Sequence, residues 1–164
     1  MNSAPQPVAA YIGLGSNLGD AVGQVQRAIL RLNDLPMTQL EQQSSLFQTA
    51  PIDAQGDDFI NAVVQLRTSL PAQELLQALQ AIENEFGRER PYINAPRTLD
   101  LDILLYGDQT ITTSTLQVPH PRLLQRAFTL IPLLQIDPFV TIPGAGPAHD
   151  FVPDITDQVI RKIA

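Results

Sequence analysis

The sequence predicts an α+β fold in which strands are joined partly by hairpins and partly by helices. Two segments with the period of a strand are followed closely by segments with the 3.6-residue period of an amphipathic helix, near residues 8–32 and 59–86. A further apolar strand segment, LDLDILLY, follows at Leu99–Tyr106. The chain has 164 residues, of which 44% are hydrophobic, enough for one sizeable core. We therefore expect a single domain over residues 1–164, with its core at about 8–140 and a less well defined C-terminal tail.

The first half of the chain is predicted to contain three strands and one helix. The first strand is Val8–Leu14, and a turn-rich segment, residues 15–20, leads into the first helix. The apolar stripe of that helix is Val22, Val25, Ile29 and Leu32. The second and third strands are predicted at Gln39–Thr49 and Phe59–Thr68, with a Pro- and Gly-containing loop, residues 50–58, between them.

The second half begins with the clearest helix signal in the sequence. Pro71 suits the first turn, Gly87 suits the C-terminal stop, and the buried stripe is Leu75, Leu76, Leu79, Ile82 and Phe86. After the Leu99–Tyr106 strand, Gly107 and Asp108 predict a hairpin into QTITT. Leu123–Gln135 is predicted to be helical despite Pro132, and the tail from Pro143 to form a loop and a short final helix.

Composition excludes several classes of protein. The net charge of −7 argues against binding along a nucleic-acid backbone, which requires clustered Lys and Arg. No apolar run reaches membrane-spanning length, and the N-terminus lacks the basic and apolar regions of a secretory signal. Absence of cysteine excludes disulfides and thiol catalysis, and any metal would need oxygen or His ligands. A cytoplasmic protein, monomeric and without nucleic-acid or membrane partners, is expected.

The D-x-D motif Asp100–Asp102 is the main candidate for chemistry. Alternate residues of a strand face the same side, so the two carboxylates would lie about 6 to 7 Å apart, opposite Leu99, Leu101 and Ile103. Such a pair repels by about 2 to 3 kcal/mol at an effective dielectric near 20, which favours a nearby cation. Hard oxygen ligands favour Mg²⁺. The plainer interpretation, a half-exposed strand with an acidic outer face, is more common for an isolated D-x-D.

Arginines near the acidic pair favour the metal interpretation. Arg88, Arg90 and Arg97 lie within ten positions of one another, and Arg122 and Arg126 form a second group in a chain with few basic residues. Carboxylates that hold a metal, together with planar guanidinium groups, are typical of a nucleoside triphosphate site. Each arginine taken alone is more often a solvated surface residue.

The sequence matches two other phosphate-binding patterns poorly or not at all. The glycine-rich GLGSNLG follows a strand and precedes a helix, but the third glycine position of a dinucleotide-binding loop is Leu18. A P-loop is excluded because no G-x-x-x-x-G-K-[ST] occurs, and the only lysine is Lys162. His120 lies between two prolines that could aim its imidazole at a phosphate or a ribose, or it could be a capping or packed residue.

Several segments together resemble a known family. They are YIGLGSNLGD, TAPI with FINAVV, IENEFGRER, APRTLDLDILLYG and VPHPRLLQRAF, in order from about residue 10 to 140. The chain resembles the 6-hydroxymethyl-7,8-dihydropterin pyrophosphokinases of folate biosynthesis. The resemblance implies a ferredoxin-like fold with a mainly antiparallel sheet and helices on both faces. It also implies a reaction in which ATP and the pterin give AMP and the pterin diphosphate.

The resemblance implies roles for particular residues. Asp100 and Asp102 would hold two Mg²⁺ ions that bridge the triphosphate, and the catalytic residues would be Arg88, Arg97, Asp100 and Asp102. The residues implied for the nucleotide are Gln80, Glu83, Arg88, Arg90, Arg97, Ile103, His120 and Arg126. The residues implied for the pterin are Thr49, Pro51, Ile52, Phe59, Asn61 and Phe128. Without that role, the aromatic residues would be core and the polar residues would be helix surface.

The sequence also departs from the family pattern. Ile93, Asn94 and Ala95 stand where many members have a basic residue, Trp and Gly, so tryptophan stacking on the pterin is absent. Thr115 stands where Arg is frequent, and the loop at 50–58 is slightly short. Two alternatives therefore remain: a binding protein of the same fold with weakened catalysis, and a dinucleotide-dependent oxidoreductase using the GLGSN segment.

Overall fold

The computed structural model describes residues 6–17, 19–50, 58–87 and 99–163. The strands are β1 Val8–Ser16, β2 Thr38–Gln43, β3 Phe47–Thr49, β4 Phe59–Thr68, β5 Asp100–Tyr106, β6 Ile111–Thr112, β7 Gln117–Val118, β8 Thr141–Ile142, β9 Gly146–Pro147 and β10 Ile160–Lys162. The α-helices are α1 Ala21–Asn33, α2 Ala72–Phe86 and α3 Ala127–Ile136, and 3-10 helices occupy Leu123–Gln125 and Ala148–Ile155. None of the helices in these described ranges combines the length and apolar character needed to cross a bilayer.

The main sheet has six antiparallel strands. Its order is β10-β3-β4-β1-β5, and β2 pairs with the far part of β4 beyond β3. With α1 between β1 and β2 and α2 between β4 and β5, the chain follows the β-α-β-β-α-β order of ferredoxin-like folds when β2 and β3, which pair with successive parts of β4, are counted as one interrupted strand. The predicted α+β class and its mainly antiparallel sheet are confirmed. The third strand is confirmed at Phe59–Thr68, residue for residue.

Apolar layers cover both faces of the sheet. One layer joins α1 and α2 to one side of the central strands, through residues such as Ile12, Val64 and Leu101. The other layer joins α3 to the opposite side, through Tyr11, Val63 and Leu104. The two helices of the first layer are α1 and α2, as their apolar stripes predict, and α2 has Gly87 at its C-cap. A β-strand residue therefore contacts one of two different cores according to its position.

β1 is longer than the sequence predicts. Gly15 and Ser16 continue the strand instead of starting a turn, and pair with Asn61 and Ile60 of β4. Both are buried, and the chain turns only afterwards, where Asp20 caps α1 by accepting from Gly23 N at 3.1 Å. The expected turn-rich segment at 15–20 is therefore wrong for its first two residues. The glycine-rich segment is strand, which removes the loop that a dinucleotide site would need.

The predicted strand at Gln39–Thr49 is two strands, β2 and β3, along the same edge of β4. The break is at Ser44, whose N donates to Val63 O at 2.8 Å while its hydroxyl accepts from Val63 N at 2.9 Å. A side-chain oxygen therefore replaces a backbone carbonyl in the ladder, which the alternation of apolar residues could not reveal.

The hairpin predicted after Leu99–Tyr106 is wrong. β6 pairs with β7 and not with β5. Gly107, in the left-handed region at φ +56°, donates its N–H to Ala9 O at 2.7 Å, and the turn that follows directs the chain away from the sheet. On the outer side of β5, Leu101 N donates to Glu83 Oε2 at 2.8 Å, so a side chain of α2, and not a further strand, satisfies this edge N–H.

β5 contains a β-bulge. Tyr11 of β1 opposes Leu105, but Ile12 opposes Ile103, so Leu104 is the extra residue of β5. Its side chain belongs to the α3 layer, and its carbonyl accepts from His120 N at 2.9 Å. The bulge therefore anchors the segment that follows β7.

The tail differs most from expectation. The predicted helix at Leu123–Gln135 is divided into a 3-10 turn and α3, with Arg126 extended between them at φ −127° and ψ 123°. The tail then forms the β8–β9 hairpin, the 3-10 helix Ala148–Ile155 and β10. The short helix is present but not final, because β10 follows it and pairs with β3, Ile160 opposite Thr49.

Candidate active site

The site lies on the α3 side of the sheet, where β1 is central. Gly15 is paired with Asn61 on one side and Asp100 on the other, and Gly13 with Val63 and Asp102. Neighbouring strands lie about 4.8 Å apart, so the backbones of Asn61 and Asp100 are separated by about 10 Å. Because Gly13 and Gly15 carry no side chain, they form a glycine floor between the two polar strands.

A cavity of about 560 Å³ opens above this floor. Its walls come from β1, the β3 end, β4, β5, α2 and the start of α3. The lining residues are Gly13, Leu14, Gly15, Thr49, Ala50, Phe59, Asn61, Leu76, Gln80, Glu83, Asp100, Leu101, Asp102, Arg126, Phe128 and Thr129. The cavity has the size of a ligand pocket and extends from the glycine floor around the outer edge of β5 to α2.

Asp100 and Asp102, the acidic pair, lie side by side at the start of β5. Both are exposed, whereas Leu101 and Ile103 are buried in the layer of α1 and α2. The predicted alternation of an acidic and an apolar face is therefore confirmed. No third acidic residue, histidine or cysteine joins them to make a cluster of metal-ligating side chains within the described ranges. Mg²⁺ commonly takes only one or two carboxylates and completes its octahedron with phosphates and water, so the acidic pair suits that ion.

Asn61 is a buried amide beside the glycine floor. It is 3% exposed, and its Nδ2 donates to Thr49 Oγ1 at 2.8 Å. Its Oδ1 lies so close to β1 that a Cβ at Gly15 would approach it to 3.1 Å. A buried amide that is held at one nitrogen retains further donor and acceptor capacity for a ligand edge. Together with Thr49, Phe59 and Phe128, Asn61 forms what we call the aromatic slot.

Arg126 and Phe128 enter the cavity from the start of α3. The Arg126 guanidinium lies over the Phe128 ring, 5.2 Å from its centroid, a cation–π distance. The stacked pair therefore presents one positive charge to the same cavity as the acidic pair.

His120 lies next to the site without lining the cavity. Its Nδ1 accepts from Arg122 N at 3.2 Å. Burial lowers the pKa of His120, and the charges of Arg126 and Arg122 lower it further, against the opposing effect of Asp102. The imidazole is therefore neutral at pH 7 and can donate from Nε2.

The structure brings most of the sequence-predicted site residues together. The cavity is lined by Thr49, Phe59, Asn61, Gln80, Glu83, Asp100, Asp102, Arg126 and Phe128. Ile103 is 3% exposed and lies in the core, away from the cavity lining. Pro51, Ile52, Arg88, Arg90 and Arg97 lie outside the described residues, as do Ile93, Asn94 and Ala95. Thr115 is exposed, and its hydroxyl donates to Gln73 Oε1 at 3.2 Å.

Sequence reasoning missed part of the cavity. Gly13 was predicted only as a strand residue and Gly15 as a turn residue, and neither was predicted to line a site; Leu76 and Leu101 were predicted only as apolar positions, and Thr129 had no predicted role. Glycines at alternate positions of a strand are themselves a signal, because they mark a place where a ligand or another backbone can approach closely.

Taken together, the α+β sheet, the acidic pair, the stacked arginine and the aromatic slot have the chemistry that a phosphorylated nucleotide and a flat, polar ring require. Such a combination is typical of small-molecule kinases that use ATP. A family model, 7,8-dihydro-6-hydroxymethylpterin-pyrophosphokinase (HPPK), matches residues 11–138. The chain belongs to this family, and the expectations of family and of a diphosphokinase are confirmed.

Relatives in bacteria are similar over most of the chain. A 2-amino-4-hydroxy-6-hydroxymethyldihydropteridine pyrophosphokinase of Haemophilus influenzae is 38% identical, covering 95% of this chain and 98% of its own. One of Pseudomonas aeruginosa is 44% identical, covering 81% and 83%. One of Bacillus subtilis is 43% identical, covering 77% of each.

Solved structures share the fold. An HPPK-DHPS in complex with substrates has a TM-score of 0.75 at 13% identity, covering 93% of this chain and 44% of its own. A wild-type Plasmodium falciparum HPPK-DHPS with pterin and p-hydroxybenzoate has a TM-score of 0.73 at 13% identity, covering 93% and 44%. The chain thus spans less than half of these two-part proteins. At this identity the likeness supports the fold, including its ferredoxin-like core.

Proposed function

We propose that the protein transfers a pyrophosphoryl group from ATP to 6-hydroxymethyl-7,8-dihydropterin, giving AMP and the pterin diphosphate, in folate biosynthesis. The observation that supports the proposal is the row Asn61–Gly15–Asp100, in which the backbones of a buried amide residue and an exposed carboxylate residue lie about 10 Å apart; the amide would suit a heterocycle edge and the carboxylate a metal ion. The hydroxymethyl oxygen forms a bond to the β-phosphorus, the α–β bridging bond breaks, AMP leaves with the bridging oxygen, and the hydroxyl proton passes to solvent.

Asp100 and Asp102 would hold two Mg²⁺ ions, which would neutralise triphosphate charge and polarise the phosphoryl oxygens. The fit rests on two exposed carboxylates that share one face at the start of β5. Since the acidic pair has no third metal-ligating side chain beside it among the residues that the structure describes, phosphate oxygens and water would complete the coordination. Arg126 and the predicted Arg88 and Arg97 would balance the remaining charge.

The nucleotide would lie along the outer edge of β5, facing α2. Gln80 and Glu83 line this part of the cavity, and Glu83 already accepts from Leu101 N. Backbone groups two residues apart point the same way, so Ile103 would offer its backbone, not its buried side chain, to the adenine. His120 would donate to a phosphate or ribose oxygen, and Arg90 completes the predicted nucleotide set.

The pterin would lie in the aromatic slot above the glycine floor. The Asn61 amide can pair with neighbouring donors and acceptors of the ring edge, and Phe59 and Phe128 would border the ring faces. Thr49, Pro51 and Ile52 would add contacts from the loop. Because the chain contains no tryptophan, stacking on the pterin would depend on these phenylalanines.

We also propose that the chain is one domain, monomeric and cytoplasmic, with ATP and the pterin as its partners and with no nucleic acid or membrane. Support for a single domain comes from β10, which returns the tail to the edge of the main sheet. The acidic net charge of −7 supports the absence of nucleic acid.

The proposal is tested with purified protein, Mg²⁺, hydroxymethyldihydropterin and ATP labelled on the β-phosphorus. We expect pterin-dependent release of AMP, with the label transferred to the pterin, and no reaction when Mg²⁺ is chelated. ADP as the product, or AMP formation independent of the pterin, would overturn the proposed reaction. Binding of both substrates without turnover would instead identify a non-catalytic binding protein.

A further inference from the structure

Gln158 belongs to the tail, between the 3-10 helix Ala148–Ile155 and β10. It lies outside residues 11–138, the part of the chain that the family model matches. Its own N–H donates to Ile155 O at 3.1 Å, and two residues later Ile160 pairs with Thr49. The backbone of Gln158 is therefore tied to the sheet beside the aromatic slot.

The side chain of Gln158 makes two hydrogen bonds with the segment that begins α3. Its Oε1 accepts from Ala127 N at 2.8 Å, and its Nε2 donates to Gln125 O at 2.9 Å. Ala127 N is one of the N–H groups that a helix leaves unsatisfied at its start, and the Arg126 side chain at the N-cap does not cap it. The cap of α3 is thus supplied from a residue 31 positions away.

These two hydrogen bonds hold the peptide groups on either side of Arg126. Gln125 O belongs to the peptide group that precedes Arg126, and Ala127 N belongs to the peptide group that follows it. One amide side chain therefore restrains both φ and ψ of Arg126, which is extended between two helical segments. The direction in which Arg126 leaves the backbone, and its stacking on Phe128, depend on these two angles.

We infer that Gln158 is a positioning residue, which aims Arg126 and Phe128 into the active site by holding the two peptide groups around Arg126. The inference rests on the proposed function, because the effect on turnover acts through the Arg126 contact with the triphosphate. A well-placed charged group loses rate steeply when its geometry is relaxed, even if the group itself is retained.

The test compares Gln158→Ala with Gln135→Ala in the full chain. Gln135 is a matched control, since it also makes two side-chain hydrogen bonds with a distant residue, Ser45, but at the other end of α3 and away from the cavity. We expect Gln158→Ala to lower kcat/KM for ATP about tenfold and Gln135→Ala to change it less than twofold, with similar losses in the midpoint of urea unfolding. Equal kcat/KM losses in the two variants, or none in Gln158→Ala, would overturn the inference.

Two further measurements separate this inference from the proposed function. Hydrogen exchange of residues 123–130 in the ligand-free protein should be at least tenfold faster in Gln158→Ala than in the wild type or Gln135→Ala. Unchanged exchange would overturn the inference even in an active enzyme, whereas an inactive wild type would overturn only the proposed function. Gln158→Glu keeps the acceptor for Ala127 N but lacks the donor for Gln125 O. Its kcat/KM should therefore lie between those of Gln158→Ala and the wild type.

Discussion

At the scale of single residues, the site is a set of polar groups held in different ways. The acidic pair is exposed and its position comes from the strand, whereas Asn61 is buried and its position comes from a hydrogen bond to Thr49. Exposed and buried polar groups respond differently to substitution. Removing one partner of a buried hydrogen bond leaves a desolvated group, while an exposed group is simply solvated.

Replacing either carboxylate of the acidic pair with its amide tests the metal assignment. Asp100→Asn and Asp102→Asn should each lower kcat by about a hundredfold to a thousandfold, because a bound metal supplies several kcal/mol of transition-state stabilisation. The free energy of unfolding should change by less than about 0.5 kcal/mol, since both groups are exposed. Steady-state kinetics and urea unfolding provide the two readouts.

Asp108→Asn is the control for the acidic pair. It removes an exposed carboxylate in the turn after β5, away from the cavity lining, and should keep wild-type kcat. Full activity in both Asp100→Asn and Asp102→Asn would contradict the metal assignment.

Asn61→Asp tests recognition of the pterin edge. The donation from Asn61 Nδ2 to Thr49 Oγ1 is lost, but the Thr49 hydroxyl can rotate and donate to the new carboxylate, so the fold should persist, while the side chain can no longer donate to the ring. We expect KM for the pterin to rise about tenfold to a hundredfold, the effect of about 1 to 3 kcal/mol from an unsatisfied polar group. Asn33→Asp, at the end of α1, is the comparison variant, and a similar rise there would argue against a specific contact.

At the scale of elements, β1 determines the shape of the site. Because Gly13 and Gly15 have no side chains, the space above β1, between the side chains of β4 and β5, stays open. A side chain added at either glycine should narrow that space. In Gly15→Ala the new Cβ would lie 3.1 Å from Asn61 Oδ1, so the amide must move by a few tenths of an ångström. In Gly13→Ala the nearest atom would be a Leu104 methyl at 3.4 Å, an ordinary contact.

We therefore expect Gly15→Ala to raise KM for the pterin about tenfold, and Gly13→Ala to raise it clearly less, because only the first displaces the recognition amide by direct contact. Titration of the fluorescent pterin against each variant measures the effect without turnover. Equal dissociation constants for the two variants would contradict this expectation, because they would show that a methyl group anywhere on the glycine floor weakens pterin binding without displacement of Asn61.

The elements also show where sequence reasoning succeeded and failed. α2 and β4 were predicted closely because their apolar periods are long and uninterrupted. The family resemblance implied cavity-lining residues such as Asn61 and Gln80, and the common face of Asp100 and Asp102 was predicted from the period of two. The partners of β6 and β10 were not predicted, because pairing of short strands depends on where distant segments meet. The resemblance implied a nucleotide contact for Ile103, and because its side chain is buried that contact would have to come from its backbone.

At the scale of the whole molecule, a polar contact joins the centre of the sheet to the α3 layer. Tyr11 of β1 donates its hydroxyl to Asp137 Oδ2 at 2.5 Å, which joins the central strand to the end of α3. Burial raises the pKa of Tyr11 well above its usual 10.0, and the hydrogen bond with Asp137 and its negative charge raise it further.

This contact predicts that the protein loses stability at alkaline pH. Above pH 10 the unfolded chain releases the Tyr11 proton while the folded chain retains it, so the free energy of unfolding should fall as pH rises. Tyr11→Phe should be less stable by about 1 to 3 kcal/mol at pH 7, through the lost bond to a charged group, yet should lose less stability between pH 9 and 11. Part of the pH dependence should remain, because burial also raises the pKa of Tyr106. Urea unfolding across this range is the measurement, and identical pH slopes in variant and wild type would contradict it.

The extra residue Leu104 has a consequence for how the site could change over time. Before the bulge, Asp100 pairs with Gly15 and Asp102 with Gly13 of β1. After the bulge, the pairing register between β5 and β1 is shifted by one residue. The segment that carries His120 is anchored to β5 by the hydrogen bond from His120 N to the Leu104 carbonyl. Changes of length downstream of Tyr106 therefore need not shift the aspartates along β1. The segment bearing His120 can therefore differ in length while the two carboxylates keep positions that are set by the pairing of β5 with β1.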